Sequence, residues 1–431
     1  MATSPKLFAL IDYGDNYVQP LLLAAIESQI PPDLLVLISN ISELPSPSSN
    51  FLQWRQYEDI DLEGLMHRST TSLANSYVIR KALIRKHYLS STVSHWLTKH
   101  PSSVLKRHVQ PSVEFEVDFA EFLDDALIEA YELKESWQRN EALDQGSDDR
   151  EWWILKPGMS DRGQGIRLFS SEEELTGIFE DWDPPSDDDD EDNHISHKSS
   201  NDGKEESDNH GVIASQLRHF IAQPYIHPPL LMPTSHPSSG RKFHIRTYVL
   251  AVGALQVYVY RPMLALFAGK PYLGPSASTL PNEDLSSHLT NTCLQSGERE
   301  GSVHEFWSLP SKVNDKVSEH WQEDVFKQIC SVTGEVFEAA ARSMSIHFQP
   351  LPNAFEVFGL DFMVDAQGTA WLLEINAFPD FAQTGSKLQD LVKGLIKGVV
   401  SVAVKPFFGL DGGNSEVHNL QRVLDIDLGR R

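Results

Sequence analysis

Residues 355–380 read FEVFGLDFMVDAQGTAWLLEINAFPD, and this stretch decides the fold. Two apolar runs, 355–364 and 369–376, flank the turn-like Asp365-Ala366-Gln367-Gly368-Thr369. The pattern predicts a β-hairpin. If Asp365 pairs with Ala370, Asp361 stands opposite Glu374. Alternation along a strand puts Glu374 and Asn376 on one face. Cross-strand Cβ atoms are then roughly 4.5–5.5 Å apart. Two carboxylates and an amide oxygen at that range suit a hard cation, and Mg²⁺ prefers such ligands. The bland alternative is that these are solvated positions on a half-buried sheet. Against it, both acids sit inside strongly apolar runs.

The flanking sequence predicts more strands near 220–225, 242–251 and 254–260, a helix near 317–344 and an amphipathic helix over 386–404. The beginning of the chain reads as strand 7–12, helix 19–29 and strand 34–38, a small α/β N-terminal lobe over 1–65. A basic central lobe over 66–150 follows, with helices near 76–87, 92–100 and 115–139. Residues 151–404 form the expected catalytic region and 405–431 a loose polar tail. Residues 183–209 have almost no apolar side chains and predict a disordered acidic insertion.

Of the 431 residues, 40% are hydrophobic, enough for a large core, and the formal net charge is −25. That charge argues against direct nucleic-acid binding, which needs clustered Lys and Arg. It is unevenly spread. Residues 183–208 hold eleven acids and two lysines, whereas 64–113 hold eight Lys and Arg and no acid. The two cysteines, Cys293 and Cys330, make no metal spacing, and no apolar run reaches membrane-span length. The N-terminus lacks the pattern of a signal peptide. The expectation is a cytoplasmic monomer with no membrane partner.

Two further stretches bear cations in unusual settings. In WWILKPGMSDRGQGIRLF, Lys156 closes an apolar strand, where a lysine needs an anionic partner. Gly158, Gly163 and Gly165 then allow backbone N–H groups to approach phosphate oxygens, although a plain turn has the same composition. In RKFHIRTYVLAV, Lys242, His244 and Arg246 share one strand face, and Arg261 ends the next strand. They form either a guarded basic edge or a site for a triphosphate or carboxylate. His288-Leu289-Thr290-Asn291 alone reads as a turn, and Cys293 as a structural thiol.

Taken in order, WILKPGMSDRGQGIRLF, FIAQPYI, RKFHIRTYVL, HLTN and FEVFGLDFMVD…WLLEINAFPD resemble the serial motifs of the tubulin–tyrosine ligase family. The resemblance runs from about residue 76 to 404. It implies an α+β ATP-grasp fold and an ATP-dependent carboxylate–amine ligase working through an acyl-phosphate. Residue by residue, it implies that Lys81 and Lys156 contact ATP phosphates, and that Gln223 with the Tyr225-Ile226 backbone reads adenine. Lys242 would line the nucleotide pocket, with His244 beside it. Thr290 and Asn291 would lie near the nucleotide and the reacting carboxylate. Asp361, Glu374 and Asn376 would hold Mg²⁺, and Arg246 and Arg261 would face the transferring phosphate. Two departures stand out: His244 replaces the acid of the family's K-x-D-x-R pattern, and Pro224 replaces a common lysine.

The implied partners are ATP, an amino acid and an acidic protein C-terminal tail, tubulin's being one candidate. The basic segment offers a groove for such a tail despite the net negative charge. The competing expectation is an ATP-grasp scaffold with weak or no ligase activity, for example in a cytoplasmic RNA–protein complex.

Overall fold

The computed structural model describes residues 6–144, 147, 149–159, 163–183, 217–276, 285–290, 302–381, 388–410 and 419–428. The acidic insertion lies outside them, apart from Asp183. So do Asn291 and Cys293.

The chain forms two compact units. The larger comprises Met1–Gln110, Ile226–Gly274 and Asp284–Arg431, and the smaller Pro111–Tyr225 with Pro275–Glu283. These differ from the lobes expected from sequence: the 66–150 segment is divided at residue 110, and the N-terminal lobe belongs to the larger unit.

Within the larger unit, strands β1 (Leu7–Asp12), β2 (Leu35–Leu37), β3 (Asn50–Arg55) and β4 (Ser72–Ala74) form a parallel sheet in the order β2-β1-β3-β4. Parallel pairing requires crossovers, and helix Val18–Gln29 supplies the first. Its Val18, Leu22 and Ile26 pack with Leu7 and Ala9 of β1. Composition alone did not mark β3 and β4 as strands.

The smaller unit holds β5 (Val113–Glu116), β6 (Trp153–Pro157), β7 (Arg167–Phe169) and β8 (His219–Pro224), antiparallel in the order β5-β8-β6-β7. Helices Tyr131–Glu141 and Glu172–Glu180 cover it, the second capped by the Ser171 side chain. The single helix expected over 115–139 is absent. Phe115 instead pairs with Phe220 at the sheet edge, and only Tyr131–Glu141 is a helix of any length there. Edge pairing overrode the helical spacing of the acids and apolar residues.

The larger unit's second sheet comprises β9 (Phe243–Val252), β10 (Gln256–Tyr260), β11 (Leu264–Phe267), β12 (Val303–Glu305), β13 (Phe355–Val364), β14 (Ala370–Ala377) and β15 (Leu420–Asp425). Long strand β9 is central: β13 pairs along one edge, and β11 and β10 share the other. Phe243, Ile245 and Val249 point into a core closed by helix Trp321–Ser343. Tyr248 and Leu250 point to the opposite core, closed by helix Gln389–Val399. The tail expected to be loose contributes β15, which pairs with β10 because Leu420 buries in one core and Val423 packs on the other. Among the described residues, no helix is long and apolar enough to cross a membrane.

Candidate functional site

The hairpin β13–β14 forms with Asp361 opposite Glu374, but not by the expected route. The turn pairs Val364 with Ala370, one residue away from the expected Asp365–Ala370 pairing. A β-bulge at Leu373 then restores the register, so that Phe362 faces Leu372 while Asp361 faces Glu374. The bulge decides which face Glu374 takes. Ala370, Leu372 and Ile375 all enter the core under helix Trp321–Ser343. With strict alternation, Glu374 would follow Leu372 into that core. One extra residue instead turns Glu374 and Asn376 to the opposite side, where Asp361 stands.

These three side chains converge. Asn376 Nδ2 lies 3.1 Å from Glu374 Oε1 and 3.4 Å from Asp361 Oδ2. Each carboxylate also has a cation. Arg246, the partner of Asp361 across β9–β13, donates from Nε and Nη2 to its two oxygens at 2.5 and 3.1 Å. Burial disfavours the Arg246 charge, but Asp361 outweighs it and raises the guanidinium pKa further. Lys86, at the start of helix Lys86–Lys99, reaches Glu374 Oε2 at 3.1 Å. The family resemblance implied an ATP-phosphate contact for Lys81, which is exposed, and gave Lys86 no role. Both lie in the basic segment, and nothing in their spacing separates them.

This donor set fits a hard divalent cation through Asp361, Glu374 and Asn376. Binding one needs a half-turn of the Asn376 amide, which here presents its nitrogen. Among the described residues, no group of three His, Cys, Asp or Glu is arranged to hold a metal. A three-donor set here would need the Asn376 amide oxygen beside the two carboxylates.

Beside it, β9 carries His244 and Arg246 on its even-numbered face, with Lys242 immediately before the strand, all three buried. His244 Nδ1 lies 2.6 Å from Thr290 Oγ1, bringing segment 285–290 onto this face. Its Nε2 is buried without a hydrogen-bond partner among the described residues, with Asp361 Oδ1 3.6 Å away. Burial lowers the His244 pKa, opposed by Asp361. His288 is driven down to about 4 by burial, then by Lys242 and His227. The His288 and Tyr272 rings meet edge-on, and the Tyr272 hydroxyl lies 2.6 Å from His227 Nδ1. Sequence reading missed Tyr272 as a site neighbour, because an isolated aromatic residue in a turn carries no periodic signal, and took His288 only as the start of the HLTN stretch.

Arg261 stands apart. It pairs with Glu323 and stacks over Trp307 at 4.3 Å and Phe326 at 4.9 Å. Both rings pack with the core on the far face of β9. The expectation that Arg261 and Arg246 act together is not met by this arrangement.

In the smaller unit, Lys156 and Gln223 lie on adjacent strands β6 and β8, both buried. Lys156 Nζ donates to Gln223 Oε1 at 2.8 Å, and Gln223 Nε2 donates to Ser112 Oγ at 2.7 Å. Gly165 has φ +72°, and a Cβ there would meet Pro157 Cγ at 2.7 Å, so the turn after Lys156 requires glycine. Tyr225 and Ile226 are buried, and the Tyr225 N–H bonds to the Trp152 carbonyl at 2.8 Å.

Comparison with known proteins accords with these features. The model of the tubulin–tyrosine ligase family matches residues 67–411. A probable tubulin–tyrosine ligase of Schizosaccharomyces pombe is 42% identical over 415 residues, covering 94% of each chain. The probable tubulin–tyrosine ligase PBY1 of Saccharomyces cerevisiae is also 42% identical, over 95% of this chain but only 54% of PBY1. The crystal structure of the C-terminal domain of K. lactis Pby1, described as an ATP-grasp enzyme interacting with the mRNA decapping enzyme Dcp2, superposes with TM-score 0.70. It is 35% identical and covers 98% of this chain and 99% of that one. The fold is thus ATP-grasp, and the chain belongs to the tubulin–tyrosine ligase family.

Proposed function

We propose that the chain is an ATP-dependent carboxylate–amine ligase that adds an amino acid to a carboxylate of a protein substrate. The observation carrying this reading is the convergence of Asp361, Glu374 and Asn376 beside buried Arg246. Mg²⁺ held by the three oxygens would supply charge neutralisation for a bound triphosphate. Arg246 is already fixed by Asp361, so its remaining N–H groups are preorganised toward an anion. Lys242, immediately before the strand, adds positive charge. His244 and Thr290 form one hydrogen-bonded unit at its border.

In this reaction, an acceptor carboxylate oxygen forms a bond to the γ-phosphorus as the bond to ADP breaks. An amine nitrogen then bonds the acyl carbon, releasing phosphate and a proton. The side chains position the reactants and stabilise charge without acting as nucleophiles. We assign ATP phosphate contacts to Lys156 and Lys81, and adenine recognition to Gln223, Tyr225 and Ile226. Thr290 and Asn291 are assigned to the reacting end.

The test is incubation with ATP, Mg²⁺, labelled amino acids and a panel of acidic C-terminal peptides, with products read by mass. A peptide gaining the mass of one residue only when ATP is present supports ligation. No mass gain with any amino acid overturns it. A second reading, an ATP-grasp module serving assembly, is favoured by His244 in place of the family's acid. K. lactis Pby1, described as interacting with Dcp2, gives that reading a precedent. Thermal stabilisation by ATP·Mg²⁺ without ligation would select it.

A further inference from the structure

The smaller unit carries an apolar surface that the proposed reaction does not use. Among the described residues nine large hydrophobic side chains are exposed, and four of them fall within 119–131. They are Phe119 (41% exposed), Phe122 (48%), Ile128 (60%) and Tyr131 (65%). Phe119 and Phe122 meet edge-on at 6.3 Å. Leu123, Leu127 and Leu133 from the same segment turn inward and fill the core. The outward residues are therefore surplus to packing, and exposed aromatic groups on a soluble face mark contact sites.

The charge around them is mostly acidic, offset by Lys134, whose Nζ donates to the Ile128 carbonyl at 3.4 Å, and by Arg218, 3.7 Å from Asp118. Residues 118–132 include Asp118, Glu121, Asp124, Asp125, Glu129 and Glu132, and no Lys, Arg or His. Such a surface repels nucleic acid and anionic lipid and attracts cations.

We infer that this segment docks a basic amphipathic peptide segment of a partner protein, with aliphatic anchors against its exposed Phe119, Phe122, Ile128 and Tyr131 and Lys or Arg against the acids. Residue spacing of i, i+3, i+4 and i+7 in a helical partner presents such anchors on one side. The basic segment of a second copy is a poorer occupant. Its Arg68, Arg80 and Lys86 already pair with Asp61, Glu356 and Glu374 of their own chain at 2.9, 2.8 and 3.1 Å.

The experiment measures fluorescence polarisation of the full chain with labelled LKKLLKKLLKKL. Controls are a non-amphipathic scramble of the same residues and the acidic analogue LEELLEELLEEL. The expected result is saturable binding of the amphipathic basic peptide alone, weakened at least tenfold by Phe122→Ser with Ile128→Ser. Asp124→Asn with Asp125→Asn weakens it too, whereas Ile346→Ser, at an exposed position of the larger unit, leaves it unchanged. All variants alter exposed side chains, and their melting curves should match the parent's. Equal affinity for the scramble, or for the Phe122/Ile128 variant, overturns the proposal. A parent dimer that becomes monomeric in that variant also overturns it, by assigning the face to self-association.

Discussion

Arg246 and Asp361 face each other across β9 and β13, and the guanidinium holds both carboxylate oxygens, at 2.5 and 3.1 Å. Both side chains are buried. The pair fixes the charge most central to the candidate site before any ligand arrives.

Breaking that pair strands a buried charge. Arg246→Ala should therefore destabilise the fold by about 3–5 kcal/mol, measured by denaturant unfolding. Arg246→Ala combined with Asp361→Asn should recover part of the loss. If the single variant is as stable as the parent, the carboxylate is solvated and the site is more open than described.

Glu374 is partly exposed, and its partner Lys86 sits at the edge of the site. Glu374→Gln should keep the fold and remove one negative charge from the candidate metal set. Under the ligase reading, product formation falls to background, and Mg²⁺ no longer increases the thermal stabilisation given by ATP. Retained ligation would remove Glu374 from the metal set.

Gly359 lies two residues before Asp361 on the same strand face. A Cβ there would stand 3.0 Å from Pro379 Cβ and 3.3 Å from Arg246 Cδ. Gly359→Ala should cost about 1–3 kcal/mol through overpacking and displace Arg246. Differential scanning calorimetry with and without ATP·Mg²⁺ checks both effects; an unchanged ligand shift would show that Arg246 tolerates the methyl.

Glu356 is buried, with Arg80 at 2.8 Å and the Tyr77 N–H at 3.1 Å. Burial outweighs both partners and pushes its pKa up to about 7. The folded state therefore holds this proton more tightly than the unfolded chain. The resulting stability is complete below the unfolded pKa and is lost as pH rises through about 7. Between these limits, the parent should lose stability relative to Glu356→Gln as pH rises, read as the difference between their denaturation midpoints. A constant difference would show that Glu356 stays ionised throughout.

Much of this was legible along the chain. Strand β1 matches the apolar run 7–12, β9 shows the alternation of His244 and Arg246, and the apolar runs around Asp365 gave the hairpin. Periodicity reports such features because burial is repeated every second or every third to fourth residue. It failed where pairing with distant residues outweighed local preference. Val113–Glu116 became an edge strand on β8, and Leu420–Asp425 became a strand on β10.

The sequence alone determined which residues could do chemistry: the acids and amide of one hairpin, the cations of one strand, and their order, which resembles one ligase family. Tertiary structure alone decided which of them meet. The bulge at Leu373 turns Glu374 out of the core, Lys86 reaches it, and Arg261 is held on the far face by Glu323 and Trp307. A register shift of one residue reverses a side chain's face, and a cation takes whichever carboxylate the packing brings within reach. Neither is written in local periodicity.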